Sequence, residues 1–264
     1  MRSSHKTPGP VFPQALALAV LLAVASFTAL GAGRQGRHAP EDWPPSVAEH
    51  AYGRVLFDRL EHAEGDEEDT LSWEIEAWYG GDYNRLWVET EGEDVTSGGE
   101  GGEIENLDVL YSRLVAPYWD VQAGVGYQGI YGTDADEDRG FAVLGVQGLA
   151  PHWFEVDANL RVSDEGDVSA DFEAEYDLLL TQRLILQPRF ETSVAAGEVE
   201  EFGVGEGFNF VKLGLRLRYE IKRELAPYIG VSWNRKLGDT ADLAEAEGED
   251  DADTAVVVGV RMWF

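Results

Sequence analysis

The chain closes on "DTAVVVGVRMWF", Asp253 to Phe264. Counting back from Phe264, every second residue is apolar: Met262, Val260, Val258 and Val256. The interleaved positions hold Arg261, Gly259 and Val257. A period of two marks a strand. One face of this strand is uniformly apolar and the other must accommodate a guanidinium. Two settings suit such a segment: an open sheet lying on a protein core, or a barrel whose outside meets lipid. A bare terminal Phe is unusual for a chain with a formal net charge of −30.

The same alternation recurs upstream. "SWEIEAWY" sets Trp73, Ile75, Ala77 and Tyr79 against Glu74 and Glu76. "WFEVDANLRV" sets Phe154, Val156, Ala158, Leu160 and Val162 against Glu155, Asp157, Asn159 and Arg161. "SADFEAEYDL" opposes Phe172, Ala174, Tyr176 and Leu178 to Asp171, Glu173, Glu175 and Asp177, and "VKLGLRLRYEI" opposes Leu213, Leu215, Leu217 and Tyr219 to Lys212, Arg216, Arg218 and Glu220. A slip of one residue would carry charges onto the apolar face. At a bilayer midplane that costs about 2–4 kcal/mol per Arg or Lys. Twelve strands are expected, near 53–63, 70–79, 83–92, 104–115, 118–129, 139–149, 152–163, 167–178, 182–195, 208–221, 224–236 and 253–264. The first and sixth alternate least clearly. The ninth contains Pro188, which cannot donate to a ladder, so a bulge is expected there.

Composition agrees with an all-β chain. Its 264 residues include 30 Gly and 11% aromatics, which suit strands and turns. With no Cys, neither a disulfide framework nor a thiolate metal site exists. Residues 1–33 read as a signal peptide: Arg2 and Lys6 precede the apolar run "ALALAVLLAVASFTAL" (Ala15 to Leu30), and small residues follow in "ALGAG". The run is shorter than the roughly 20 apolar residues of a spanning helix. Residues 34–52, with Pro40, Pro44 and Pro45, read as a flexible lead-in to a domain over 53–264. No later segment reaches 18 consecutive apolar residues, so a membrane-spanning mature chain must be a closed barrel.

The connections decide between the settings. Short ones, "GGDYN", "APYW", "LAPHW", "LLTQR" and "KRELAP", interleave with mostly longer acidic ones, "EGDEED", "EGEDVTSGGEGGE" (Glu91 to Glu103), "DADED", "DEGD", "EVEEFGVGEG" and "DTADLAEAEGEDDAD" (Asp239 to Asp253). Strict interleaving is what up-and-down strands need, and outer-membrane barrels show it, with short periplasmic turns. Trp78, Tyr79, Tyr83, Tyr118, Trp119, Trp153, Phe154, Tyr228, Trp263 and Phe264 lie beside the short turns as one aromatic girdle. A secreted sandwich or soluble barrel would explain the alternation but not the loop asymmetry, the girdle and the terminal Phe together. The expected fold is a transmembrane, antiparallel up-and-down outer-membrane barrel of twelve strands. Lipid and the barrel-assembly machinery are its expected partners.

Several long stretches resemble the copper resistance protein B family of Gram-negative outer membranes. They are "GGDYNRLW" (Gly80 to Trp87), "GVQGLAPHWFEVDA" (Gly145 to Ala158), "AEYDLLLTQRLILQPRFE" (Ala174 to Glu191), "GLRLRYEIKRELAPYIGVSW" (Gly214 to Trp233) and "GDTADL" (Gly238 to Leu243). The resemblance covers roughly Gly53 to Phe264. It implies an outer-membrane barrel for copper tolerance that moves or binds copper ions, commonly beside a periplasmic multicopper oxidase. One departure stands out. Family members often carry a Met- and His-rich segment before the barrel, whereas Arg34 to His50 offers only His38 and His50 and no Met. A Met-based copper tether is therefore missing.

The expected lumen is crowded with charge. The acids are Glu74, Glu76, Glu89, Asp108, Asp120, Glu155, Asp157, Asp171, Glu173, Glu175 and Asp177, and the bases are Arg85, Arg161, Arg189, Lys212, Arg216, Arg218 and Arg261. Such a lumen either conducts ions, with acidic loops concentrating cations, or is stapled shut by ion pairs, as narrow barrels fill with side chains. Carboxylate-rich loops favour hard cations and hold copper weakly without nitrogen or sulfur. His62, at the outer end of the first strand, is the better copper candidate; His152 falls in a short turn. A Ser72–His62 pair would resemble the catalytic pair of outer-membrane lipid hydrolases, but no nucleophile motif surrounds Ser72, and no enzyme is expected. There is no phosphate loop, and the negative charge argues against nucleic acid.

Overall fold

The computed structural model describes residues 51–65, 69–97, 101–132 and 137–264. The expected signal peptide and nearly all of the expected lead-in lie outside the described residues. The strands are β1 (Tyr52–Glu64), β2 (Asp69–Gly80), β3 (Asn84–Ser97), β4 (Gly102–Ala116), β5 (Trp119–Tyr131), β6 (Glu137–Ala150) and β7 (Phe154–Ser163). They continue with β8 (Val168–Tyr176, resumed at Leu178–Leu179), β9 (Leu184–Ala195), β10 (Gly207–Tyr219), β11 (Leu225–Lys236) and β12 (Ala252–Trp263). Each pairs antiparallel with its sequence neighbour, and β12 pairs back onto β1, so the sheet closes into a twelve-stranded ring. Closure reaches the last residue: Phe264 N donates to Val55 O at 2.9 Å and Val55 N to Phe264 O at 3.1 Å. The Phe57 and Phe264 rings meet edge-on at 6.4 Å.

Period two sorts the side chains as the sequence requires. On β12, Val256 and Val258 are 50% and 56% exposed, while Val257 between them is 1% exposed. On β10, Leu213, Leu215 and Leu217 face out, and Arg216 and Arg218 are buried inside. The outer wall is thus a band of aliphatic side chains of the kind lipid wets, and the charges are turned inward. No helix among the described residues is long and apolar enough to cross a membrane, and the spanning elements here are strands.

Four details depart from the sequence expectation. Pro188 makes no bulge: Arg189 faces Glu175 and Leu186 faces Leu178 in one constant register. The β8 ladder instead breaks at Asp177, where pairing would need the N–H that proline lacks. In the ninth strand the register with β10 shifts only further on, between Ser193 and Val194, and a bulge in β1, where the register with β2 shifts between Phe57 and Arg59, buries both Asp58 and Arg59. That explains the weak alternation of the first strand. Strands β3 and β4 run through most of the expected Glu91–Glu103 loop. Finally, the expected 239–253 loop holds a helix, α1 (Gly238–Glu247), ended by Gly248 in the left-handed region, whose N–H donates to Ala244 O and Glu245 O.

The girdle also needs correction. Tyr83, Tyr118, Trp153 and Phe264 are well exposed at the short-turn end, but Tyr228 is buried. Trp78 turns inward, stacked on Trp87 at 6.3 Å. Both carry the inward parity of their strands. Lipid-facing burial makes a direct prediction: Val258→Arg, at the middle of β12, destabilises the bilayer-inserted barrel by about 2–4 kcal/mol. Equilibrium urea unfolding in liposomes checks it.

Candidate functional site

The lumen is the candidate site, and inward parity builds it strand by strand. Its centre is a knot of two arginines that share carboxylates across the barrel. Arg59 on β1 donates through Nε to Glu74 Oε2 at 2.6 Å, through Nη1 to Glu191 Oε1 at 3.4 Å, and through Nη2 to Glu91. Arg189 on β9 donates to the same Glu74 oxygen at 2.8 Å and to Glu173 Oε2 at 2.5 Å, and its Nε lies 2.6 Å from Glu191 Oε1. Strands β2 and β9 stand five places apart in the ring one way and seven the other. The Arg189–Glu74 bond therefore spans nearly the full lumen. Lys212 adds a contact to Glu191 at 3.7 Å.

Other pairs surround the knot. Arg161 grips Asp108 with both terminal nitrogens, at 3.0 and 2.7 Å, and reaches Asp171 through Nε at 2.9 Å. Arg216 holds Glu61 in the same two-pronged way, at 2.9 and 2.8 Å. Arg218 bonds Asp177 at 2.6 Å, and Arg261 Nε lies 2.7 Å from Asp58 Oδ1. Arg85 lies over the Trp78 ring at 4.9 Å, 3.9 Å from Asp120. Glu175 accepts from Gln187 Nε2 at 2.8 Å, and Asp157 from Asn159 Nδ2 at 2.5 Å. Glu76 and Glu89 stand directly opposite each other on β2 and β3, and Glu89 opposite Asp108 on β4. Two-pronged, charge-assisted pairs fix geometry as well as charge. The gap left between Asp58, Arg59, Arg189, Arg216, Arg218 and Arg261 is too narrow for a water-sized sphere.

Not all of the filling is ionic. Trp87, Leu110, Phe141 and Val143 form a buried apolar cluster on the inner wall of β3 to β6, with Trp78 against it. The expectation of an interior crowded with charge named none of these residues, although each carries inward parity. At the long-loop end, the connection between β9 and β10 holds a 3-10 turn at Glu200–Phe202. It reaches the wall of β6, where the Arg139 guanidinium lies 4.0 Å from the Phe202 ring and 5.0 Å from that of Phe141. Helix α1 clamps this connection: Thr240 Oγ1 accepts from Gly205 N at 2.9 Å and from Asn209 Nδ2 at 3.1 Å.

The structure therefore gathers Glu74, Asp108, Asp171, Glu173, Arg161, Arg189, Lys212, Arg216, Arg218 and Arg261 into one inner set of ion pairs. It adds Asp58, Arg59, Glu61, Glu91 and Glu191, which the sequence reading did not select. Bulging hid Asp58 and Arg59. His62 is exposed, and its Nδ1 donates to Thr70 O at 3.1 Å. It pairs in register with Leu71 and Val258, both exposed, whereas Ser72 pairs with the buried Glu61. His62 and Ser72 thus point to opposite faces, and no proton transfer between them is possible. No group of three or more His, Asp or Glu with metal-holding geometry occurs among the described residues.

Comparison with known proteins adds the family. The family model described as Copper resistance protein B precursor (CopB) matches residues 51–264. Copper resistance protein B of Escherichia coli is 44% identical over 210 residues, covering 80% of this chain and 69% of that protein. The chain belongs to the copper resistance protein B family. The Copper resistance protein B homolog of Pseudomonas syringae pv. tomato (strain ATCC BAA-871 / DC3000) is 39% identical over 209 residues, 79% of this chain and 69% of that one. Among solved structures, the NanC porin superposes with a TM-score of 0.52 at 10% identity, covering 80% of this chain and 99% of the porin. That likeness shows the fold: an outer-membrane-type barrel. Membership of the family supports a role in copper resistance.

The central knot carries a stability prediction. Arg189→Ala leaves Glu173 with no ion-pair partner among the described residues, takes one of two cations from Glu74 and one of three from Glu191, and destabilises the barrel by about 3–5 kcal/mol. Arg235→Ala removes an exposed pair with Asp251 and changes stability by less than about 1 kcal/mol. Denaturant midpoints of the two variants check the contrast.

Proposed function

We propose that this protein serves copper resistance at the outer membrane as a closed, charge-stapled barrel, with copper ions as a passing cargo that its carboxylates attract. The carrying observation is the shared Arg59–Glu74–Arg189 knot, which ties opposite walls together, with the gap beside it among Asp58, Arg59, Arg189 and Arg261 too narrow for a water-sized sphere. An open pore would need those pairs to part, and breaking a buried pair costs several kcal/mol.

The donor set supports cargo over a resident copper. The chain has no Cys and its described part only two His, His62 and His152, which stand at different heights of the barrel. Carboxylates alone hold copper weakly, since copper prefers imidazole and sulfur ligands. A formal charge of −30, much of it in the connections at the long-loop end, raises local cation concentration there. In this reading the barrel is inserted by the barrel-assembly machinery through its closing strand. A periplasmic multicopper oxidase is the enzyme that would act on copper beside it.

Planar-bilayer recording of the refolded protein tests the closed state, and copper titration tests the cargo. The expected results are silent bilayers without copper and weak, multi-site copper uptake. Steady conductance at rest would overturn the closed barrel, and one tight stoichiometric copper site would overturn the cargo reading.

A further inference from the structure

One inward row crosses β4 to β7 at a single height: Ser112 pairs with Gln122, Gln122 with Gly145, and Gly145 with Asn159. The three side chains are 1%, 0% and 8% exposed. Each ends in an oxygen with no hydrogen-bond partner: Ser112 Oγ, Gln122 Oε1 and Asn159 Oδ1. Buried polar atoms are ordinarily satisfied, and an orphan costs stability. Three in one row point to something that meets them together.

Glycine makes the space. A Cβ built on Gly145 would collide with Asn159 Oδ1 and lie 3.3 Å from Gln122 Oε1, so both orphan amide oxygens overhang the same bare position. The other ends of these amides are committed. Gln122 Nε2 donates to Gln147 Oε1 at 3.4 Å, and Asn159 Nδ2 donates to Asp157 Oδ1 at 2.5 Å. The Asp157 carboxylate can only accept, so it fixes Asn159 Oδ1 toward the cup. Asp157 has no ion-pair partner among the described residues, and the field of its carboxylate falls on Glu89, also without one. The cup is lined by oxygen, and the Arg161 charge that reaches Asp157 and Glu89 is also shared with Asp108 and Asp171.

We propose that the cup over Gly145 is a binding site for a hard cation, of the calcium class. Asp157 supplies the charge, and Gln122 Oε1 and Asn159 Oδ1 supply neutral ligands. Calcium accepts carboxylate and amide oxygens in irregular arrangements and completes its shell with water. Copper, which ranks nitrogen and sulfur above amide oxygen, is disfavoured here. The site is separate from any copper handling at the long-loop end, and it would tie β5 to β7 across β6 beside the apolar cluster.

The test uses Ca²⁺ alone on the refolded mature barrel in detergent, with uptake read by isothermal titration and the thermal unfolding midpoint. We expect one saturable site that raises the midpoint. Gly145→Ala should abolish both effects by filling the cup without changing any charge. Gln122→Met, which keeps the volume and removes the oxygen, should weaken Ca²⁺ binding at least tenfold. A shift in migration on boiling shows that each variant is folded, and Gln122→Met carries the test if Gly145→Ala does not fold. Uptake by the acidic loops would persist in every variant. No saturable site, equal uptake in the folded variants, or displacement of Ca²⁺ by equimolar Cu²⁺ overturns the assignment.

Discussion

A strand edge left open in hydrocarbon would strand a row of N–H and C=O groups with no partner. The structure depends on escaping that cost, and the pairing of β12 onto β1 is where it does so. The last residue is part of the solution, since Phe264 exchanges both backbone bonds with Val55. Once the ring is closed, period two has only two places to put a side chain. Most of the aliphatic side chains go outside, and the ion-paired arginines and glutamates go inside. The opposed demands of the two solvents are thus met by one strictly alternating pattern.

The interior then faces a problem of its own. A ring of this size encloses more room than a few side chains fill, and the chain lines it with acids in excess of bases. Sharing resolves part of this. Glu74 accepts from both Arg59 and Arg189, and Glu191 faces Arg59, Arg189 and Lys212. Each cation thereby neutralises several carboxylates, and strands on opposite walls become tied together. The apolar cluster around Leu110 and Phe141 fills the other side of the lumen without charge. Such a packing is a plug made from the wall itself.

Much of this was legible in the sequence because alternation is a local property. The inward set on β8 and β10 follows from parity once one residue of each strand is placed, and Arg216 and Arg218 are where that rule puts them. Parity failed where the backbone slips: the β1 bulge turns Asp58 and Arg59 inward together, and no pattern of apolar residues announces it. It also could not say which acid meets which base, because Arg189 and Glu74 are 115 residues apart and meet only through barrel closure. Trp78 and Tyr228 were assigned by their nearness to turns, although their parity already placed them inside. Helix α1 was readable in "ADLAEAE", whose Ala, Leu and Glu are strong helix formers; the acidic character of the stretch masked it.

The central claim is a single closed ring with lipid outside and ion pairs inside. The chain has no native Cys, so single spin labels can be set at successive positions from 254 to 262 along β12 in a bilayer. Collision with oxygen dissolved in the hydrocarbon is the measurement. Accessibility should oscillate with a period of two, with maxima at Val256, Val258 and Val260 and minima at Val257, Gly259 and Arg261. A flat profile, or one in the opposite phase, would contradict it.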